Sequence, residues 1–165
     1  MLYLLLKYIH ILSSTILFGT GIGTASVMLY GHLTKQPTII AAINRYVVIA
    51  DWIFTASSAI VQPITGFWMV YLAGYAWSTL WIGGSIIGYI IAACCWFPVV
   101  YLQIQLRDLA IVAARGQTSL PDRYYQLFRY WFYLGWPAFI SLIIVFYFMT
   151  FKPIMLNQIL PAINH

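Results

Sequence analysis

Glutamate is absent from this chain of 165 residues, and aspartate occurs three times against eight lysines and arginines. Only 7% of the residues are charged. A soluble domain normally carries about a quarter, so an ordinary water-soluble globule is excluded. Cysteine is equally scarce. Cys94 and Cys95 are adjacent within an apolar run, which gives neither a spaced disulfide framework nor a C-x-x-C redox or zinc pattern. They read as compact packing residues. The basic residues form no stripe suited to nucleic acid beyond what membrane orientation requires, so the lipid bilayer is the expected partner.

What the chain has in excess is apolar length. Hydrophobic residues make up 63% of it, and runs free of Asp, Glu, Lys and Arg extend from Ile11 to Thr34, from Trp52 to Leu106 and from Tyr130 to Phe151. A membrane-crossing helix needs about 20 such residues, and the middle run holds two. The expected fold is all-α: a bundle of four transmembrane helices forming a single domain over residues 1–165, with spans near 3–30, 46–73, 79–106 and 127–151. Helix three is expected to continue in the cytosol to about residue 115. The first apolar run is too long for a signal peptide and lacks a basic leader and a cleavage site, so it is expected to be retained.

Local signals punctuate the spans. Thr38 is a candidate cap for helix two, Gly74 a stop, Gly116 the terminator of helix three, and Ser119-Leu120-Pro121-Asp122 a capping box that starts helix four near Leu120. Pro63, Pro98 and Pro137 fall one in each of helices two, three and four, where each removes a backbone donor and is expected to kink its helix. Two rows of small residues, Gly19-x-x-x-Gly23 with Gly21-x-x-x-Ala25, and Gly84, Gly88 and Ala92, are expected to be helix-packing faces. No strand precedes the first row, so it is not a nucleotide loop. Lys35, Arg45, Arg107, Arg115, Arg123 and Arg129 lie at one end of the spans, while Lys7 and Lys152 lie at the other. This asymmetry places both termini and the turn after Gly74 outside the cytosol.

Few residues within the spans can carry chemistry. Lys7, His10 and Ser14 share one face of helix one at three- and four-residue spacing. Counting inward from Lys7 and from Lys152 puts His10 and Met149 at one depth, and Met69 falls close to it. A histidine and a methionine from different helices would suit axial ligation of a b-type haem, with Lys7 or interfacial tryptophans meeting the propionates. The same atoms would suit a copper ion at His10. Alternatively, His10 bonds a neighbouring helix and the methionines fill gaps. A bis-histidine pair would require His165 near the chain end.

Asp51 is the one acid inside a span. Its axial position matches Arg107 and Arg129, which predicts a structural ion pair, with a proton-relay or cation-site carboxylate as the alternative. Gln62 beside Pro63 and Gly66 reads either as a donor to a quinone-like headgroup or as packing around the proline. His32 reads as a solvated loop histidine.

Several ordered motifs, among them Lys7-Tyr8-Ile9-His10-Ile11-Leu12, Ala50-Asp51-Trp52, Gln62-Pro63-Ile64-Thr65-Gly66 and Leu134-Gly135-Trp136-Pro137-Ala138-Phe139, resemble a family of bacterial integral membrane proteins known as domain of unknown function 2269. The resemblance implies a bacterial integral membrane protein, and together with the charge asymmetry the expectation is a multi-pass protein of the inner membrane with periplasmic termini. More distantly, Lys7-x-x-His10 ahead of a glycine-rich stretch looks like the membrane-bound protoporphyrinogen oxidase and copper-resistance D families, which implies haem at His10 and a functional role for Lys7. The expected function is a small haem-binding redox or electron-transfer protein. A non-enzymatic membrane subunit or assembly factor, and a copper or proton-coupled permease, are the alternatives, and a second copy or a membrane redox protein is the expected partner.

Overall fold

The computed structural model describes residues 1–153, so His165 lies outside the described residues. Four helices follow one another: α1 (Leu2–Thr34), α2 (Pro37–Ala73), α3 (Leu80–Gly116) and α4 (Asp122–Phe151), each long and apolar enough to cross a membrane. No strand occurs among the described residues, and the bundle expected from the apolar runs is observed. At 1.5 Å per residue the 37 residues of α3 span about 55 Å, nearly twice the hydrocarbon thickness of a bilayer. One end of the bundle must therefore stand clear of the acyl chains. The end that carries six of the eight basic residues is called the basic end here.

The helix ends follow backbone rules, with three departures from the sequence reading. Gly74 closes α2 in a left-handed conformation, φ 68°, as its missing side chain allows. The start of α2 is Pro37, capped by Gln36 and not by Thr38, because proline at the first helical position wastes no donor. Gly116 is itself helical, and the left-handed residue is Gln117 at φ 52°. Pro121 stays extended, with φ −70° and ψ 154°, so α4 begins at Asp122 and no side-chain capping bond forms.

Packing is uneven along the bundle. α3 and α4 lie against one another extensively, whereas α2 packs on α1 and α3 with its first half and chiefly on α1 with its second. The helices therefore converge at the basic end, where Met28, Ile40, Val47, Leu106, Tyr124 and Phe128 form the main core. His32 belongs to this region and is no solvated loop residue. It lies in the last turn of α1, half-buried, with its ring stacked on Phe128 at 3.7 Å between centroids and 6° between planes. Toward the opposite end the α1–α2 and α3–α4 pairs meet through larger side chains, with Phe18 of α1 stacked on Phe139 of α4 and Val70 of α2 packed with Trp81 and Ile82 of α3.

Within lipid, apolar side chains gain nothing by leaving one hydrocarbon for another, so close approach through small residues decides which faces meet. On α3 this holds: a Cβ added at Gly88 would lie 2.8 Å from a Val145 methyl, and one at Gly84 would lie 2.7 Å from the Phe148 ring. The α1 row does not behave alike, since Gly19, Gly21 and Gly23 have nothing within 4 Å of an added Cβ. Both rows have the packing spacing; only one is turned toward another helix.

Two backbone irregularities shape α2. Residues Asp51–Thr55 form a π-helical turn, in which the N–H of Ala56 donates to the carbonyl of Asp51, and such single turns recur at functional sites. Further along, Pro63 cannot donate to the carbonyl of Ala59 four residues back. The Tyr89 hydroxyl of α3 donates to that carbonyl instead. The proline thus ties α2 to α3 across the gap between the two helix pairs.

Candidate functional site

Polar side chains of α2 recur at Asn44, Asp51, Thr55, Ser58, Gln62 and Thr65, and all six are buried. Steps of three, four and seven residues keep them on one face, which looks into the bundle. Two separate polar groups form along this face.

The first joins α2 to α1. His10 Nδ1 lies 2.8 Å from Thr65 Oγ1, and Thr65 Oγ1 donates to the Val61 carbonyl at 2.7 Å. A hydroxyl carries a single proton. When that proton goes to the backbone, Thr65 accepts from His10, an arrangement that puts the imidazole proton on Nδ1 and the lone pair on Nε2. Gln62 Nε2 donates to the His10 carbonyl at 2.8 Å and to Ser13 Oγ at 2.6 Å. Its amide is therefore spent on holding two helices together, in line with the packing alternative for Gln62. A Cβ added at Gly66 would lie 3.3 Å from His10 Cε1, so the ring rests directly on the backbone of α2.

Lys7 is exposed, Met69 is half-buried one turn beyond Thr65, and Met149 is exposed on α4. The hydrogen-bond partner of His10 is Thr65 of α2. Among the described residues, no three His, Cys, Asp or Glu side chains are grouped so as to hold one metal ion. Cys94 is exposed, Cys95 is partly buried, and both are free.

The second group surrounds Asp51, and here the structure corrects the expected ion pair. The only salt bridge among the described residues joins Arg107 to Asp108 at 2.8 Å, and Arg129 is exposed on the outer face of α4. Neither arginine pairs with Asp51, since Arg107 is engaged by Asp108 and Arg129 is exposed. Asp51 is turned inward, 4% exposed. Thr55 Oγ1 donates to its Oδ1 at 3.1 Å. Thr24 Oγ1 lies 3.3 Å away and has a nearer acceptor in the Thr20 carbonyl at 2.8 Å. Gln103 of α3 lines the same cavity, and its Oε1, in a side chain 3% exposed, has no hydrogen-bond partner among the described residues.

Asp51 and Gln103 sit on the wall of a cavity of about 920 Å³ between the helix pairs. Its lining is otherwise nearly all apolar and aromatic, with Tyr89, Trp96, Trp131 and Trp136 among the rings. Among the described residues, Asp51 is the only charged one of that wall, and no histidine, methionine or cysteine lines it. The indole nitrogens of Trp96 and Trp131 are buried without partners. Exposed side chains such as Trp52, Ile60 and Phe97 contribute to the rim, so the cavity opens on the lateral surface of the bundle. Sequence reasoning missed Gln103 and the two tryptophans, which look like ordinary members of an apolar run. The three- and four-residue spacing of the α2 polar residues was the available signal that Asp51 faces inward.

The family model described as predicted integral membrane protein (DUF2269) matches residues 4–153. The chain belongs to this family and is an integral, multi-pass membrane protein. No curated protein matches the chain, and no solved structure does; the likeness to the protoporphyrinogen oxidase and copper-resistance D families receives no support.

Proposed function

We propose that this member of the family is an intramembrane binding protein for a small molecule with an apolar body, admitted to the cavity from the bilayer. One observation carries the reading: a cavity of about 920 Å³ with apolar walls has buried polar groups on it that lack partners. Ligand sites commonly enclose about 300–1,000 Å³ and combine apolar walls with a few placed polar groups. A buried polar atom without a partner costs about 1–3 kcal/mol, and a ligand that supplies the partner recovers that energy. The basic end faces the cytosol in this reading, by the rule that basic residues stay inside, and the membrane is the bacterial inner membrane.

The test is to extract the detergent-purified protein with organic solvent and identify bound small molecules by mass spectrometry. Wild type is expected to carry one in near-stoichiometric amount, and Ala92→Trp, which fills the cavity from its wall, is expected to lose it. A folded wild type that carries none, and whose tryptophan fluorescence responds to no member of a panel of cationic, neutral and anionic aromatic probes, would overturn the reading.

A second reading, a haem-associated redox protein, is favoured by the state of His10. A metal-binding histidine commonly donates its other ring N–H to a fixed acceptor, and Thr65 leaves the Nε2 lone pair available. With no histidine, methionine or cysteine among the described residues of the cavity wall, a haem held by His10 would sit outside the cavity, with Met149 of α4 or Met69 of α2 as the candidate for the second ligand. Purified protein that shows no Soret band, and gains none when haem is supplied, refutes this reading without touching the first.

A further inference from the structure

The chemistry of the cavity wall narrows the ligand class. This inference rests on the proposal that the cavity binds a small molecule. A buried carboxyl with no basic partner either takes up a proton or is held ionised by a positive charge brought to it, and Asp51 has no Lys or Arg within salt-bridge distance among the described residues. Its firmest donor is one threonine hydroxyl. Beside it, Gln103 Oε1 is a second acceptor that is buried and empty-handed. The unpartnered polar atoms of the wall are mixed, with Gln103 Oε1 an acceptor and the Trp96 and Trp131 indoles donors, so the ligand class is decided by the one ionisable group on the wall, the Asp51 carboxyl.

The rest of the wall matches that charge. Aromatic faces attract cations through their negative quadrupole, by about 0.5–1 kcal/mol at exposed sites and about 2 kcal/mol or more when water is excluded. Tyr89, Trp96, Trp131 and Trp136 contribute rings to the space that Asp51 borders. Other ligand classes fit less well. An anion would meet a carboxylate with no lysine, arginine or histidine among the described residues of the wall to offset it. A neutral quinone would accept from the Trp96 and Trp131 indoles but would bring no counter-charge to an ionised Asp51. A bare metal ion would leave most of about 920 Å³ unfilled, and a soft metal would find no sulfur or imidazole ligand there.

We infer that the cavity between the α1–α2 and α3–α4 pairs is a binding site for an apolar organic cation, a protonated amine or quaternary ammonium carried on a hydrophobic body. Asp51 supplies the counter-charge. Gln103 Oε1 accepts from an N–H where the ligand has one, and the aromatic wall encloses the apolar body. The exposed rim residues let such a molecule enter from the bilayer, where lipophilic cations accumulate.

The experiment uses two probes of equal shape and opposite charge, tetraphenylphosphonium and tetraphenylborate. Both are titrated against the purified full-length protein in lipid nanodiscs while tryptophan fluorescence is followed, with protein-free nanodiscs as the partition control. The phosphonium is expected to bind saturably and at least about tenfold more tightly than the borate. Asp51→Asn is expected to abolish that preference, and Asp51→Glu to keep it. Size-exclusion profiles and helical circular dichroism confirm that each variant is folded. Equal affinity for the two ions, or a preference that survives Asp51→Asn in folded protein, overturns the cation assignment. Binding of a neutral quinone more tightly than the phosphonium also overturns it, but leaves the binding-protein proposal standing. Failure of every probe, with no extractable ligand, removes both.

Discussion

The hydrogen bond from Tyr89 to the Ala59 carbonyl should depend on Pro63, and that dependence can be measured. Pro63 leaves Ala59 without its helical donor, and the Tyr89 hydroxyl takes the vacancy. Interhelical hydrogen bonds in membranes contribute about 0.6 kcal/mol on average and up to about 1.7 kcal/mol. A buried acceptor left empty adds a desolvation penalty, which puts such losses at about 1–3 kcal/mol. Tyr89→Phe should therefore cost about 1.5 kcal/mol in the native background. In a Pro63→Ala background the N–H of residue 63 can donate to Ala59 directly, and the same change should cost about 0.5 kcal/mol or less. The coupling, about 1 kcal/mol, is the difference between the two. It can be read from denaturation of the four proteins in mixed micelles by added dodecyl sulfate, followed by circular dichroism. Equal costs for Tyr89→Phe in both backgrounds would refute the claim that the tyrosine replaces the donor proline removed.

The same assay checks the remaining contacts. Gly88→Ala drives a Cβ to 2.8 Å from a methyl of Val145, whose branched side chain has little rotamer freedom. Overpacking of this kind costs about 1–3 kcal/mol, and Val145→Ala in the same chain should recover most of it. Gly19→Ala opens on empty space, and is expected to leave stability unchanged or raise it by up to about 1 kcal/mol; a loss like that of Gly88→Ala would show that another surface covers α1. Gln62→Leu removes two hydrogen bonds between α1 and α2, an expected loss of about 1.2 kcal/mol at the membrane average. Asp51→Asn and Arg129→Ala should be additive within about 0.5 kcal/mol, since the two side chains form no salt bridge; a coupling above about 1 kcal/mol would restore the ion pair.

The number and type of elements were legible because apolar length is a one-dimensional property. About 20 residues cross a bilayer whatever they pack against, and four helices follow from three charge-free runs. Gly74, at φ 68°, shows that a turn residue can also be read directly, since its conformation is set by its own missing side chain. What was not legible is rotation about the helix axis. Gly19-x-x-x-Gly23 and Gly84-x-x-x-Gly88 have the same spacing, but only the second row meets a neighbour. Spacing shows that residues share a face. It does not say where the face points, and only the loops and partner helices fix that.

Asp51 shows how far an axial count can mislead. Depth along the helix matches it with Arg107 and Arg129, yet those side chains turn to Asp108 and to the outer surface. A second pattern in the same residues gives the right direction. Ile40, Asn44, Val47, Asp51, Thr55, Ser58, Gln62 and Thr65 recur every three or four residues and are buried together. A carboxylate on that stripe must face the interior of the bundle. The two successive steps of four, from Val47 to Asp51 and on to Thr55, fall where the π turn begins. An ordinary helix advances about 100° per residue, so two steps of four would carry the stripe off its face. The wider π turn takes up the excess and keeps Asp51 and Thr55 aligned, with the threonine hydroxyl donating to the carboxylate. The irregular turn and the carboxylate on the cavity wall are thus one feature: the backbone departs from α geometry at the place where the inward-facing polar stripe requires it.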